Sequence, residues 1–400
     1  MSEYRKLLIF KIITFTIMVI FILYFFEFFL LSFKKKIIVP NEDKYLAFNK
    51  KKKKNSNLKP YVNSMYILNH SLKFPEYFSP STFSNSEVFT CNENGYYPII
   101  KTDKHGFYNS NLIWNEKFND VFLGDSFTAG SCVNIEDNII SNYVKNNQNI
   151  IAINLGSPGS FPLLELLKLK EYIFIQNNFY PNRIYWVYYE GNDLRELQNF
   201  YKRYNDSYVF NYIDNENYLN NLVKFNEKRN QELHKSLDYA MSIIENSDKN
   251  KNKHKYKFYH FLTFAKIRTL LKDIFFNENQ NIEKDTLEVF EKILKSSKKI
   301  IDKSKTELIF VYLPTIERYK KYRFFNISVN KKSGIDKDLK YYEILNILES
   351  LNIKVIDIKK EVFDKHTDPL SLFPFRKHHH YNAKGYELIG NYLYQEKIKN

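Results

Sequence analysis

The apolar positions of this chain fall into three regimes. Residues 12–33 are almost wholly apolar, Ile12 through Phe26 and then Phe28 to Phe33 around Glu27. About 20 residues rising 1.5 Å each cross a hydrocarbon layer of ~30 Å, so this run predicts a membrane-spanning helix. Arg5, Lys6 and Lys11 precede it, Lys34-Lys35-Lys36 close it, and no small-residue cleavage site follows, which favours a retained anchor over a removable signal peptide. Residues 40–82 are polar and weakly periodic and read as a stalk. Residues 87–108 carry scattered β-formers with turn residues at Asn94-Gly95 and His105-Gly106, which predicts a small hairpin.

From residue 120 short apolar runs alternate with helix-spaced segments. Strands are expected at 120–123, 149–155, 183–189, 307–313 and 353–358, and helices at 139–146, 161–176, 285–303, 339–350 and 382–396. Such alternation implies parallel pairing through right-handed crossovers. The expected fold is therefore a three-layer α/β/α sandwich on a five-stranded, flavodoxin-like parallel sheet. Between Leu194 and Lys284 the alternation stops, and a charged, mostly helix-like stretch reads as an insertion. The domain boundaries expected are an anchor over 1–36, a stalk and lead-in over 37–115, and a catalytic-type domain over 116–398 that contains the insertion at 194–284.

The formal net charge of +15 comes from lysines scattered among Asn, Ile and Tyr. No nucleic-acid motif accompanies it, so nucleic acid is not among the expected partners. Both flanks of the apolar run are basic, and the C-terminal flank, with Lys50 to Lys54, more so. On charge alone the large domain would stay in the cytoplasm. The two cysteines, Cys91 and Cys132, lack metal-ligand spacing, and either pairing or free thiols is compatible with the sequence.

Candidate chemistry concentrates at the ends of the expected strands. Val121-Phe122-Leu123 runs into Gly124-Asp125-Ser126, which would leave Ser126 at the carboxyl end of a buried strand, where open α/β sheets build their sites. A serine there can attack a carbonyl while backbone N–H groups at a helix start hold the developing oxyanion. The α/β-hydrolase elbow does not fit, because Thr128 stands where Gly-x-Ser-x-Gly needs glycine, and no phosphate loop follows. The second strand ends in Gly156-Ser157-Pro158-Gly159 and the third in Gly191-Asn192-Asp193. His378-His379-His380 opens the last helix, and three adjacent histidines point in different directions, so no metal is expected.

These blocks, in this order, resemble the SGNH (GDSL-like) hydrolase family over roughly residues 120–398. Gly124-Asp125-Ser126 is similar to the nucleophile block, Asn154 to Gly159 to the second, Gly191-Asn192-Asp193 to the third, and His380-Tyr381-Asn382 with Gly385-Tyr386 to the last. The resemblance implies Ser126 as nucleophile, His380 as base, and an oxyanion hole formed by the Ser126 N–H, the Gly159 N–H and the Asn192 amide, with no cofactor. One position departs from the family pattern. Where an aspartate usually stands three residues before the histidine, this chain has Lys377. Asp364 and Asp368 lie nearby, and Asp368 is taken as the candidate acid, with a Ser–His dyad on a backbone carbonyl as the alternative. The activity implied is ester hydrolysis, with O-acetyl groups on a carbohydrate or envelope glycan as substrate, the domain lying outside the cytoplasm. An O-acyltransferase using the same residues and a non-catalytic scaffold are the competing readings.

Overall fold

The computed structural model describes residues 3–32, 44–63, 81–145, 147, 149–175, 180–205, 208–214, 227–228, 230–235, 261–264, 267–268, 282–320, 323–324, 327–328 and 333–399. The chain divides into two compact units. One comprises Met1–Asn41 with Leu237–Gln280, the other Glu42–Ser236 with Asn281–Asn400.

In the first unit, helix α1 (Glu3–Ser32) carries the apolar run. It is the one helix among the described residues that is long and apolar enough to cross a membrane. Near its end Glu27 is fully buried, and its carboxylate accepts from the Ile267 N–H at 2.8 Å. The Tyr24 ring lies 4.3 Å from that of Phe264 and 5.4 Å from that of Phe261. A carboxylate in an apolar helix needs a donor once it leaves water, and the 267 amide supplies one.

The second unit opens with α2 (Lys44–Lys52) and a small sheet of β1 (Leu58–Pro60), β2 (Glu87–Phe89) and β3 (Ile99–Lys101). β1 pairs with β2 in parallel, and β2 with β3 as an antiparallel hairpin. Leu58, Val88, Phe89 and Ile100 are buried, and the described residues from Lys44 belong to the same compact unit as the main sheet. An extended segment would leave the apolar surface of these short strands in water. Residues 33–43 and 64–80, and much of the expected insertion at 194–284, lie outside the described residues.

The main sheet consists of β4 (Asp120–Gly124), β5 (Ala152–Gly156), β6 (Arg183–Tyr189), β7 (Glu307–Leu313) and β8 (Lys354–Asp357). All pairings are parallel, and the spatial order is β5-β4-β6-β7-β8, the flavodoxin-like 2-1-3-4-5. Side chains alternate across it. Val121, Leu123, Trp186, Tyr188 and Phe310 enter one core, with α5 (Pro162–Lys168), α6 (Asp193–Tyr204), α7 (Lys284–Ile301) and α8 (Ser333–Ser350). Phe122, Tyr185, Val187 and Val311 enter the other, beneath α4 (Ile139–Val144) and α9 (Ala383–Lys399). The result is the expected three-layer sandwich, with both faces of a near-continuously apolar parallel sheet covered by helices. One helix expected at 161–176 narrows to α5 and then widens into π turns over Leu169–Ile175.

Candidate active site

Ser126 is the first residue of the four-residue helix α3 (Ser126–Ala129), directly after β4. The Asp125 carboxylate caps this helix by accepting from the Phe127 N–H at 2.8 Å. Gly124 makes the tight exit possible: a Cβ there would run into the Thr128 hydroxyl and lie 2.7 Å from the Val187 carbonyl oxygen of β6. The turn therefore needs glycine for close approach, and it leaves the serine hydroxyl at the carboxyl edge of the sheet.

His380 comes from the loop before α9. Its neighbour Tyr381 is fully buried and donates to the Pro314 carbonyl at 2.6 Å, and the Asn382 carboxamide accepts from the Gly385 N–H at 3.0 Å. These contacts fix the imidazole against Ser126, with Nε2 2.9 Å from the serine Oγ. Nδ1 lies 2.9 Å from Oε1 of Glu93, whose other oxygen accepts from the His380 N–H at 2.8 Å. One carboxylate thus holds both the ring and the backbone of the histidine, an arrangement that places the Nδ1 proton toward Glu93 and leaves Nε2 free to accept from serine.

Electrostatics follow from burial and this pairing. Burial opposes charge on His380, but the Glu93 hydrogen bond and the charges of Glu93 and Asp125 outweigh it and raise the imidazole above its ordinary 6.5. Burial likewise works against the Glu93 carboxylate. The hydrogen bonds from His380, with its charge and that of His378, prevail and hold Glu93 at about 2.

Asp368, the acid expected from the sequence, does not meet the imidazole. It pairs with Arg376, its Oδ1 3.0 Å from Nη1, and a second carboxylate–guanidinium contact closes the pair. Asp364 accepts from the Tyr319 hydroxyl at 3.0 Å and pairs with Lys359 at 2.7 Å. Lys377, three residues before His380, is exposed. Glu93 was missed because it sits 287 positions from His380, on the loop between β2 and β3. The one signal for it in the sequence is a pair of cysteines, Cys91 two residues before it and Cys132 six residues after Ser126. The two are joined as a disulfide, Cα to Cα 4.8 Å.

Asn192 stands beside the nucleophile. Its amide donates to Asp125 Oδ2 at 3.2 Å, and the same oxygen lies 3.4 Å from Ser126 Oγ. The Asn192 Oδ1 has no partner among the described residues. The loop bearing Gly159 leaves β5 on the same edge, since the Ser157 N–H donates to the Gly124 carbonyl at 3.2 Å. Gly159 has a positive φ of 70°, and a Cβ on it would strike the Asn63 amide, which comes from the segment after β1.

Beneath the site Lys168 is fully buried. Its ammonium donates to the carbonyls of Gly124 and Leu155 and to the Ser157 hydroxyl, each at 2.9 Å. Burial pushes this lysine down, while Glu165, Asp125 and Asp193 pull it back up. Burial and the Asp125 charge raise Glu196, near the Asn192 amide, to about 7.

The architecture is SGNH-like, with serine after the first main strand, the glycine and asparagine loops after the second and third, and histidine before the last helix. No family model matches this chain, and no curated protein matches it. Among solved structures it is similar to a lipolytic protein of the G-D-S-L family from Desulfitobacterium hafniense DCB-2, at 14% identity over 69% of this chain and 97% of that one, with a TM-score of 0.36. It is also similar to a lipase/acylhydrolase from Enterococcus faecalis, at 13% identity over 70% and 94%, TM-score 0.36. A member of the lipolytic G-D-S-L family from Veillonella parvula DSM 2008 matches at 13% identity over 68% and 93%, TM-score 0.33. Similarity at this level says nothing of the reaction, which has to come from the site's own atoms.

Proposed function

We propose that the chain is a membrane-anchored serine esterase of SGNH type that removes small acyl groups, O-acetyl foremost, from a carbohydrate outside the cytoplasm. The observation that carries this reading is the continuous relay Ser126 Oγ–His380 Nε2, His380 Nδ1–Glu93 Oε1, both contacts 2.9 Å. His380 takes the serine proton as Oγ attacks the ester carbonyl, and Glu93 steadies the imidazolium that forms. The Ser126 and Gly159 N–H groups and the Asn192 amide are the donors for the oxyanion. His380 then protonates the leaving sugar oxygen, which departs as the free hydroxyl, and water attacks the acyl-serine with His380 as base, releasing the acid and restoring Ser126. The presence of Glu93 answers the objection that Lys377 raises, and so favours an active enzyme over a scaffold.

The carbohydrate half of the reading follows from the sequence resemblance and from Phe375, an aromatic ring 51% exposed that covers Gly95 two residues from Glu93 and offers a flat apolar face. Placement outside the cytoplasm is supported by the disulfide, since such bonds persist in oxidising compartments. Full-length protein in detergent micelles, treated with a fluorophosphonate probe and assayed on an aryl acetate and on an O-acetylated polysaccharide, tests it. Labelling and acetate release by the wild type, both lost in Ser126→Ala and His380→Ala, are expected. A folded wild type that neither labels nor turns over would sink the esterase reading.

A further inference from the structure

The loop between β2 and β3 carries Glu93, yet the strands that hold it are three residues each and belong to no part of the main sheet. A carboxylate buried beside a histidine pays to leave water, so a loop free to move would take it back to solvent. Two links prevent this, and both end on one residue. Cys91 is bonded to Cys132, and the Asn94 side-chain amide donates to the Cys132 carbonyl at 3.0 Å. They bracket Glu93 at positions 91 and 94. Cys132 is fully buried, with a positive φ of 67°, in the turn that follows the Ser126 helix. Its Sγ lies 3.5 Å from His380 Nδ1, against the same edge of the ring that faces Glu93.

We propose that the Cys91–Cys132 disulfide is a positioning element of the hydrolytic site, one that holds the Glu93 loop to the Ser126 turn so that the carboxylate meets the imidazole. This rests on the reading of Ser126, His380 and Glu93 as the acyl-transfer relay. Relays of this kind tolerate little displacement, and a shift of about 1 Å can cost ~10²-fold in rate. The disulfide ties together the loops that supply acid and nucleophile, and its removal acts on the acid.

The test is a cycle in the full-length protein in detergent: wild type, Cys91→Ala with Cys132→Ala, Glu93→Gln, and the three changes together, assayed on an aryl acetate across pH. Removing the disulfide is expected to lower kcat by roughly 10–100-fold, leave KM within about twofold, and move the acid limb of the profile to lower pH, as Glu93→Gln does. Adding the cysteine changes to Glu93→Gln should then cost less than about threefold more, because the two act through one contact. Two results would overturn the proposal: a disulfide-free variant with wild-type rate and acid limb, or a loss that multiplies in full with that of Glu93→Gln.

Should the cysteine variant fail to fold, reduction of the wild type replaces it. Dithiothreitol passes two electrons and two protons to the cysteines and closes to its own cyclic disulfide. The rate should fall, the acid limb should move, and reoxidation by glutathione disulfide should restore both, whereas an unchanged profile in fully reduced, folded protein refutes the inference. Ser126→Ala separates the two readings. If it is inactive while disulfide-free protein equals wild type, only the positioning role fails. If it still turns over, the esterase reading itself fails.

Discussion

On the proposed reading the proton path at Ser126 depends on one carboxylate, whose surroundings set how the path responds to pH. His380 must be neutral to accept the serine proton. With its pKa raised above 6.5, activity should fall as pH drops through a limb lying above that value. Glu93→Gln removes the negative charge that raises the imidazole while burial still lowers it. The limb should move to lower pH, and kcat should drop by roughly 10²–10⁴-fold. Asp368→Asn, which loosens only the pair with Arg376, should leave kcat/KM within about twofold, and a steady-state pH profile of the two variants checks both statements. Stability follows the opposite group: Glu93, held at about 2, contributes stability above its ordinary 4.5 that is lost as pH falls from there toward 2. Ser126, His380 and Asn192 could be read from the sequence because each sits in a short block at a strand or helix end. Glu93 could not, because nothing local marks a glutamate in an Asn-Glu-Asn-Gly turn as the partner of a histidine in the last helix-leading loop.

At the scale of elements, the strand ends that carry the site are joined from below by one side chain. Lys168 reaches the last carbonyl of β4 and the penultimate one of β5, and the hydroxyl of Ser157 beyond it. Lys168→Met would keep the volume but withdraw the buried donor from the Gly124 and Leu155 carbonyls and the Ser157 hydroxyl, and remove the cation that compensates Glu165, Asp125 and Asp193. A loss of about 3–5 kcal/mol is expected, or a Tm lower by roughly 6–20 °C, with slower fluorophosphonate labelling because the Ser126 turn and the Gly159 loop both start there. A thermal scan that matches wild type would refute the tie. The five main strands were legible because a parallel sheet covered on both faces leaves near-continuous apolar runs, and their predicted ends fall within a few residues of those observed. Of the small sheet only the hairpin within 87–108 was legible; the pairing of 58–60 with 87–89 was not, since three-residue strands leave too short a pattern and join segments far apart in sequence.

At the scale of the whole molecule, the apolar run over 12–33 announced a helix by itself, but not what its one internal acid meets. Glu27 accepts from the Ile267 N–H, and Tyr24 both packs its ring against Phe264 and donates to the Leu262 carbonyl at 3.4 Å. These contacts join positions about 240 apart, the later ones within the stretch that the sequence reads as a helical insertion. They lie in the compact unit that excludes Ser126, so on the proposed reading membrane attachment and ester hydrolysis should be separable. Glu27→Leu leaves the 267 amide without its acceptor in an apolar setting, which costs about 1–3 kcal/mol locally. Amide hydrogen exchange over 261–268 should then speed up by roughly 10-fold or more, while turnover of a soluble aryl acetate stays at the wild-type rate. Unchanged exchange would mean that Glu27 does not hold this segment, and a loss of turnover in step with faster exchange would mean that the two units are coupled.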